Sequence, residues 1–197
     1  CGSGNGYTKI PGVFQKDYKR AIRWCAEHGV DGIGIVGLLR DKHGGVEAAK
    51  EVCGYARERG LEVAVGCEDS SRATPEDLAL LAQAARDSGA FRLRYADTLG
   101  ALEPFGAYEA IRRLRDSTDL EIEFHGHDDL GLATANTLAA LRAGARHASV
   151  TVLGLGERAG NAALEEIAVA AAQTGHFVTG VRIAELNHLA TLAADAA

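Results

Sequence analysis

The sequence contains no methionine, not even at position 1, and only 3 prolines and 1 tryptophan among 197 residues. A natural translation product begins with methionine, so we expect the chain to be a processed, truncated or engineered part of something longer. It has no run of about 18 apolar residues, which a membrane-spanning helix requires, and residues 1–12 lack the regions of a signal peptide. These absences predict a cytoplasmic protein with no membrane partner.

Positive charge is also scarce, because 21 Lys and Arg face 27 Asp and Glu and the net charge is -6. A nucleic-acid-binding surface needs clustered Lys and Arg, so we expect no nucleic-acid partner. The chain has no C-x-x-C pair and is not a small secreted scaffold. Its four cysteines, Cys1, Cys25, Cys53 and Cys67, are therefore predicted to be reduced and mostly buried.

Short β-rich runs alternate with amphipathic helical stretches along the chain. Strands are predicted at 30–38, 61–69, 91–98, 120–127 and 148–156, and helices at 14–28, 46–60, 75–89, 108–118, 133–144, 161–175 and 181–197. Helices of this length between strands indicate βαβ crossovers and a parallel sheet. An open doubly wound sheet and a (β/α)8 barrel both fit this order. Polar residues follow several successive strands, which favours the active face of a barrel.

Two histidines stand one residue apart in the run HGHDD at the end of the fourth predicted strand. Side chains alternate between the faces of a strand, so His125 and His127 are expected to point to the same side. They predict either a divalent metal site or two ordinary strand-end histidines. Asn161 is expected either to cap the next helix or to add an oxygen ligand beside them. Asp128 and Asp129 either orient an imidazole or begin a solvated loop.

Glu68 is the best candidate for a general acid or base, because a carboxylate at the end of the second strand faces the same mouth as the histidines. Thr98, after the third strand, is expected to donate a hydrogen bond to a substrate carboxylate, and Asp97 to fix the loop. Arg72 is a candidate for binding the substrate; alternatively, it forms a loop ion pair with Asp69.

The loop GLGERAGN, residues 154–161, offers a G-x-G phosphate cradle before a helix. It lacks the G-x-G-x-x-G spacing and the lysine of a P-loop, so a nucleotide site is weakly supported. A tight structural loop, held by contacts around Glu157 and Arg158, is an equal alternative.

The runs HGHDDLGLATANTLAALRAGA and TVLGLGERAGNAALEE closely resemble the signature of the 2-isopropylmalate synthase and homocitrate synthase family. The segments GLEVAVGCEDSSRAT and RLRYADTLGALEPFG look especially like the homocitrate synthases that supply nitrogenase cofactor assembly in nitrogen fixation. The resemblance covers about Asp31 to Glu166. It implies an acetyl-CoA-dependent metal enzyme built on a TIM barrel, and hence α/β architecture with about five parallel strands and flanking helices, a partial (β/α)8 barrel.

The resemblance also implies roles for individual residues. His125 and His127 match two metal ligands, and Asn161 matches a residue at or near the ion, which would be Mn, Mg or Zn. Glu68 matches the acidic residue that handles the methyl proton of acetyl-CoA, the co-substrate, and Thr98 matches the hydroxyl that contacts the 2-oxo acid. The implied reaction is a Claisen condensation of acetyl-CoA with 2-oxoglutarate to form homocitrate.

The sequence departs from the family at its start. The family's barrel opens with a D-x-T-L-R-D-G strand that supplies a third metal ligand, an Asp, and a substrate-binding Arg, and no such stretch is present. Five of eight strands leave two sheet edges exposed. We therefore expect a single catalytic-barrel domain over 1–197, incomplete at its N-terminal side, that acts as a homo-oligomer or with a complementing subunit. Alone it is expected to bind metal poorly and to turn over slowly or not at all. The alternatives are an isopropylmalate or citramalate synthase, a related aldolase or lyase, or an inactive barrel fragment.

Overall fold

A five-stranded parallel sheet forms the centre of the structure, which is a computed structural model that describes residues 18–38 and 42–196. The strands are Gly32–Leu38 (β1), Glu62–Glu68 (β2), Arg92–Asp97 (β3), Glu121–Gly126 (β4) and His147–Ser149 (β5). They lie in the order β1-β2-β3-β4-β5, so each strand pairs with its neighbour in the chain. This arrangement is the predicted partial barrel with flanking helices.

Helices connect the strands and continue beyond β5. They are Tyr18–Glu27 (α1), Lys42–Arg57 (α2), Pro75–Asp87 (α3), Pro104–Ser117 (α4), Ala133–Ala143 (α5), Leu164–Thr174 (α6) and Leu186–Ala196 (α7). The first helix was predicted to begin at residue 14, and residues 14–17 lie outside the described part of the chain. Among residues 18–38 and 42–196, no helix has the length and apolar character that crossing a membrane requires.

Local side-chain chemistry explains two helix starts. The Thr74 hydroxyl accepts a hydrogen bond from the Asp77 amide, so α3 begins at Pro75 as predicted. The α4 helix begins at Pro104, four residues earlier than predicted, because the Glu103 carboxylate accepts hydrogen bonds from the first amides of the helix. A glutamate at this position also places negative charge at the positive end of the helix dipole.

The β5 strand is shorter than the predicted 148–156. It ends at Ser149, and a turn of 3-10 helix follows at Val152–Gly154. Leu153 and Gly154 have φ of 57° and 64°, which is left-handed backbone that no strand can accommodate. The apolar composition of the run therefore suggested a strand where the backbone turns.

The main hydrophobic core lies between the sheet and the helices. Its strand residues alternate along β2, β3 and β4: Val63, Val65, Cys67, Leu93, Tyr95, Ile122 and Phe124. Cys25 and Cys53 join the same core from α1 and α2, which confirms that these thiols and Cys67 are buried, whereas Cys1 lies outside the described residues. Burial raises the pKa of Cys53 to about 11 and that of Cys67 to about 12.

The opposite face of the sheet is charged. Arg92 and Arg94 alternate with the core residues of β3. Arg92 donates to Glu123 of β4 at 3.2 Å, and Arg94 forms an ion pair with the same carboxylate at 3.3 Å. Beside them His147 Nε2 lies 2.7 Å from the carboxylate of Glu121. The inner face of a barrel is more often filled by branched apolar side chains. Here Arg92 and Glu123 are buried together, and their opposite charges compensate for the loss of water.

Candidate functional site

Five of the predicted site residues lie in loops or strand ends at the C-terminal edge of the sheet. Glu68 ends β2, and Thr98 follows β3. His125 pairs in register with Ala96 of β3 and Ser149 of β5, and His127 follows directly after β4. We call these five residues the strand-end site: Glu68, Thr98, His125, His127 and Asn161.

The two histidines converge as their spacing predicted. Their Nε2 atoms lie 3.3 Å apart, and the ring planes are nearly perpendicular, at 84°. Two nitrogen ligands held at about 2.1 Å from one ion, with an angle of about 90° to 109° between them, lie about 3.0 to 3.4 Å apart. The observed separation therefore fits two ligands of a single divalent ion.

Asn161 reaches the histidines through a backbone contact that is not a strand pairing of the main sheet. It forms an isolated antiparallel bridge with His127, and the Ala162 amide donates to the carbonyl of Gly126 at 3.3 Å. The α6 helix begins only at Leu164, with Ala163 at its N-cap, so the alternative that Asn161 caps the helix is wrong. The bridge holds Asn161 opposite His127 instead.

The orientation of the Asn161 amide leaves its oxygen available. Nδ2 donates to the carbonyl of Leu155 at 3.0 Å, whereas Oδ1 is buried and has no hydrogen-bond partner in the described part of the chain. The same is true of His127 Nδ1. A buried polar atom without a partner is costly, so a ligand that satisfies Asn161 Oδ1 stabilises the site. Oxygen and imidazole donors together fit a divalent ion.

Three glycines make the loop around Asn161 possible. A Cβ on Gly156 would lie 2.1 Å from Asn161 Nδ2, and one on Gly160 would lie 2.2 Å from the carbonyl oxygen of Gly154. Gly154 and Gly160 also have φ of 64° and 92°, which favour glycine. This is the predicted tight structural loop.

Glu68 and Thr98 are joined by a hydrogen bond between neighbouring strands. Thr98 Oγ1 donates to Glu68 Oε2 at 3.2 Å and accepts from the Asp69 amide at 2.8 Å. The hydroxyl proton is thus directed at the carboxylate. A substrate carboxylate can accept a hydrogen bond from the Thr98 hydroxyl only in competition with the Glu68 carboxylate. The predicted role of Thr98 in binding substrate therefore depends on whether Glu68 keeps this hydrogen bond.

Arg72 forms the loop ion pair that the sequence left open. Its Nε donates to Asp69 Oδ1 at 2.8 Å, and Nη2 contacts Asp69 Oδ2. This hydrogen bond raises the pKa of Arg72. Contact of Arg72 with a substrate stays a prediction.

Within residues 18–38 and 42–196, no three His, Cys, Asp or Glu side chains form a group that could hold a metal ion. The predicted ligand set of two imidazoles and one amide oxygen, from His125, His127 and Asn161, stays a prediction. Asp128 Oδ1 accepts from the Ala133 amide at 2.8 Å, so this carboxylate fixes the start of α5. Asp97 is buried, and its two oxygens accept from the amides of Ala101 and Leu102, which confirms that it fixes the loop after β3.

A family model described as HMGL-like matches residues 36–193. The chain belongs to the HMGL-like family. The 2-isopropylmalate synthase 2 of Caldanaerobacter subterraneus subsp. tengcongensis is 48% identical over 125 residues, which make up 64% of this chain and 33% of that protein. Homocitrate synthase 1 of Nostoc sp. is 43% identical over 154 residues, or 77% of this chain and 41% of that protein. The predicted family, an acyltransferase-like enzyme family, is thereby confirmed.

The HMG-CoA lyase of Bacillus subtilis has the same fold, with a TM-score of 0.80 at 22% identity over 90% of this chain and 67% of that chain. This likeness confirms the barrel architecture. The HMGL-like chain spans between 33% and 41% of the length of the two synthases named above.

One interaction of this HMGL-like chain was not foreseen as part of the site. The guanidinium of Arg158 donates to Asp129 at 2.9 Å and to the carbonyl of Thr98 at 2.6 Å. The hydrogen bond lowers the pKa of Asp129. Arg158 is 29 residues from Asp129 and 60 from Thr98 in the chain. No local pattern signals a contact at such separations.

Proposed function

We propose that the strand-end site catalyses a metal-dependent Claisen condensation of acetyl-CoA with a 2-oxo acid, with 2-oxoglutarate as the substrate and homocitrate as the product. The observation that carries the proposal is the convergence of His125 and His127, beside which a backbone bridge to His127 holds Asn161, whose buried Oδ1 has no hydrogen-bond partner among the described residues. The relatedness to a homocitrate synthase and a 2-isopropylmalate synthase supports it.

His125, His127 and Asn161 are the residues that would hold a divalent ion in this proposal. When bound, such an ion supplies Lewis acidity to the keto oxygen of the 2-oxo acid. His125 Nδ1 lies 3.4 Å from the carbonyl of Ser149, which favours a proton on Nδ1 and leaves Nε2 as the donor of the electron pair. The backbone of β5 thus favours the tautomer that a ligand needs.

Glu68 is proposed as the base that removes a proton from the methyl group of acetyl-CoA. The Thr98 hydroxyl orients the carboxylate by donating to Oε2, and the Asp69 amide fixes the hydroxyl. Glu68 is partly buried, so the carboxylate is accessible while its position is defined by β2 and β3. Holding a base in one orientation lowers the entropic part of the barrier.

The condensation forms one carbon–carbon bond between the acetyl methyl carbon and the keto carbon of the 2-oxo acid. The proton taken by Glu68 leaves the methyl group, and the keto oxygen takes up a proton to become a hydroxyl. Water then cleaves the thioester, which releases CoA and homocitrate. Positioned donors act most strongly where charge develops, which is the former keto oxygen.

Isopropylmalate synthesis is the second candidate, because a relative with that name is 48% identical over 125 residues. The two reactions differ only in the side chain of the 2-oxo acid, 2-oxoglutarate or 2-oxoisovalerate. The citramalate synthase alternative would use pyruvate as the 2-oxo acid. The predictions of a homo-oligomer, a complementing subunit and a cytoplasmic location stay predictions.

The test is a side-by-side assay of the full chain with acetyl-CoA, Mn²⁺ and each of the three 2-oxo acids, read as free CoA released. We expect the largest rate with 2-oxoglutarate. Calorimetric titration with Mn²⁺ measures binding independently of turnover. His125→Ala is expected to weaken Mn²⁺ binding by at least about tenfold, as loss of one ligand should.

His188→Ala is the matched control, since His188 is exposed on α7. It should bind Mn²⁺ as the unmodified chain does, and thermal unfolding of both variants shows whether they fold. Equal Mn²⁺ affinity in folded His125→Ala and in the unmodified chain would refute the metal site. If the chain binds Mn²⁺ but releases no CoA with any of the three acids, condensation by this chain alone is refuted.

A further inference from the structure

Arg158 connects the loops that follow three successive strands. Its Nε and Nη2 each donate to a carboxylate oxygen of Asp129 at 2.9 Å, and Nη2 also donates to the backbone carbonyl of Thr98 at 2.6 Å. Thr98 follows β3, Asp129 lies beyond β4, and Arg158 lies beyond β5. A single guanidinium therefore ties three strand ends together, through the fork geometry that only arginine offers.

The backbone at Arg158 is strained. Its φ is 57°, a region that side chains other than Gly, Asn and Asp seldom adopt. In the described ranges three non-glycine residues have positive φ, namely Asp69, Leu153 and Arg158, and all lie in loops after strands. Such strain persists where surrounding contacts impose it, often near functional sites. A glycine would adopt this backbone without strain, so what the arginine adds is its side chain.

The tied positions lie beside residues of the strand-end site. Arg158 precedes Asn161 by three residues in the tight glycine loop, and the Asn161 amide donates to the carbonyl of Gly154 at 2.9 Å. Asp129 follows His127 by two residues. The side chains of Arg158 and Asp129 are 38% and 29% exposed, so this ion pair adds little to global stability. Its main physical effect is on the relative position of the loops.

We propose that Arg158 is a positioning residue for the strand-end site: it holds the loop of Asn161 against the ends of β3 and β4, so that Asn161, His127 and Thr98 keep a fixed relative position. The consequence for metal binding rests on the proposed function. The consequence for the loops does not, because it depends only on the three hydrogen bonds of the guanidinium.

The first test is amide hydrogen exchange in the full chain, which needs no ligand. Arg158→Gln removes the charge and the fork, and we expect the amides of Asp69 and Asn161 to exchange about tenfold faster. Arg158→Lys keeps the charge but offers one nitrogen, so its exchange rates should lie between those of the unmodified chain and those of Arg158→Gln. Arg86→Gln is the matched control, because Arg86 forms an exposed 2.8 Å ion pair with Asp119.

The second test is calorimetric titration with Mn²⁺ alone. Arg158→Gln and Asp129→Asn are each expected to raise the Kd for Mn²⁺ by about tenfold, as loss of a supporting contact does in metal sites. The double variant should be no weaker than either single variant, because both remove the same link. Arg86→Gln should leave the Kd unchanged.

The outcomes separate the two proposals. If the unmodified chain binds no Mn²⁺, the proposed function fails and hydrogen exchange alone decides the role of Arg158. Exchange rates in Arg158→Gln equal to those in Arg86→Gln would overturn the inference. Equal Kd values for Mn²⁺ in the unmodified chain and in Arg158→Gln would overturn it as well. Faster exchange together with weaker Mn²⁺ binding, recovered in part by Arg158→Lys, is the result we expect.

Discussion

Replacement of Gly156 by alanine should displace the Asn161 side chain. The added Cβ would lie 2.1 Å from Asn161 Nδ2, whereas such contacts are essentially never below 3.0 Å, so the amide must move by about 0.9 Å. This movement breaks the hydrogen bond from Nδ2 to the carbonyl of Leu155. Gly156 does not have a positive φ, so alanine meets no obstacle in the backbone itself.

The magnitude follows from these two contacts. Overpacking costs about 1 to 3 kcal/mol and the lost hydrogen bond about 0.5 to 1.5 kcal/mol. The two costs do not add in full, because the movement that breaks the hydrogen bond also relieves the overpacking. We expect the free energy of unfolding to fall by about 2 kcal/mol. For a chain of this size that lowers Tm by about 4 to 8 °C. Mn²⁺ affinity should fall with it, because Asn161 Oδ1 moves with the amide.

The assay is a double-mutant cycle measured by thermal and urea unfolding. Asn161→Ala removes the amide, so Gly156→Ala on that background should cost no more than about 0.5 kcal/mol. Gly54→Ala is the control, because a Cβ there meets nothing within 4 Å, and alanine in helix α2 should stabilise by about 0.4 to 1 kcal/mol. An equal cost of Gly156→Ala with and without Asn161 would refute the reasoning.

Three further predictions concern residues outside that loop. Asp97→Ala leaves two amides near the buried carboxylate without an acceptor, so the free energy of unfolding should fall by about 2 to 4 kcal/mol; an unchanged urea midpoint would contradict this. Hydrogen bonds from Arg112 and Arg113 lower the pKa of Glu109 from 4.5 to about 2. The resulting stability is present above pH 4.5 and is lost as the pH falls towards 2, so urea unfolding of Glu109→Gln should differ from the unmodified chain at neutral pH and converge with it in acid. Cys53 and Cys67, with pKa values raised by burial to about 11 and about 12, should resist iodoacetamide at about pH 8 until the chain unfolds, as peptide mapping by mass spectrometry would show.

Features with a local cause were predictable from the sequence. The parallel sheet follows from alternating strands and helices, the barrel order was favoured by the polar residues after successive strands, and the convergence of His125 and His127 follows from the two-residue period of a strand. Thr74 and Pro75 predicted the start of α3, because a helix cap depends only on adjacent residues. The charges at Arg92 and Arg94, and at Glu121 and Glu123, also have period two, so their pairing across β3 and β4 carried a signal.

Features that depend on distant residues were not predictable. The bridge between His127 and Asn161 is closed by glycine conformations in a loop, which composition alone does not determine. The run after Ser149 reads as a strand by composition, yet β5 ends at Ser149 and the backbone is left-handed at Leu153. The link from Arg158 to Thr98 spans 60 residues and depends on the completed sheet. Only the assembled fold brings these groups together.

The sequential strand order also bears on how the chain folds. Each strand of the described sheet pairs with its neighbour in the chain, so no strand pairing skips a strand and units can be added one at a time. Glu68 and Thr98 belong to the earlier units, whereas His125 lies in β4, His127 follows it and Asn161 lies beyond β5. Ion binding by His125, His127 and Asn161 would report that the C-terminal units have docked. A stopped-flow measurement of Mn²⁺ uptake during refolding would therefore time the end of folding rather than its beginning.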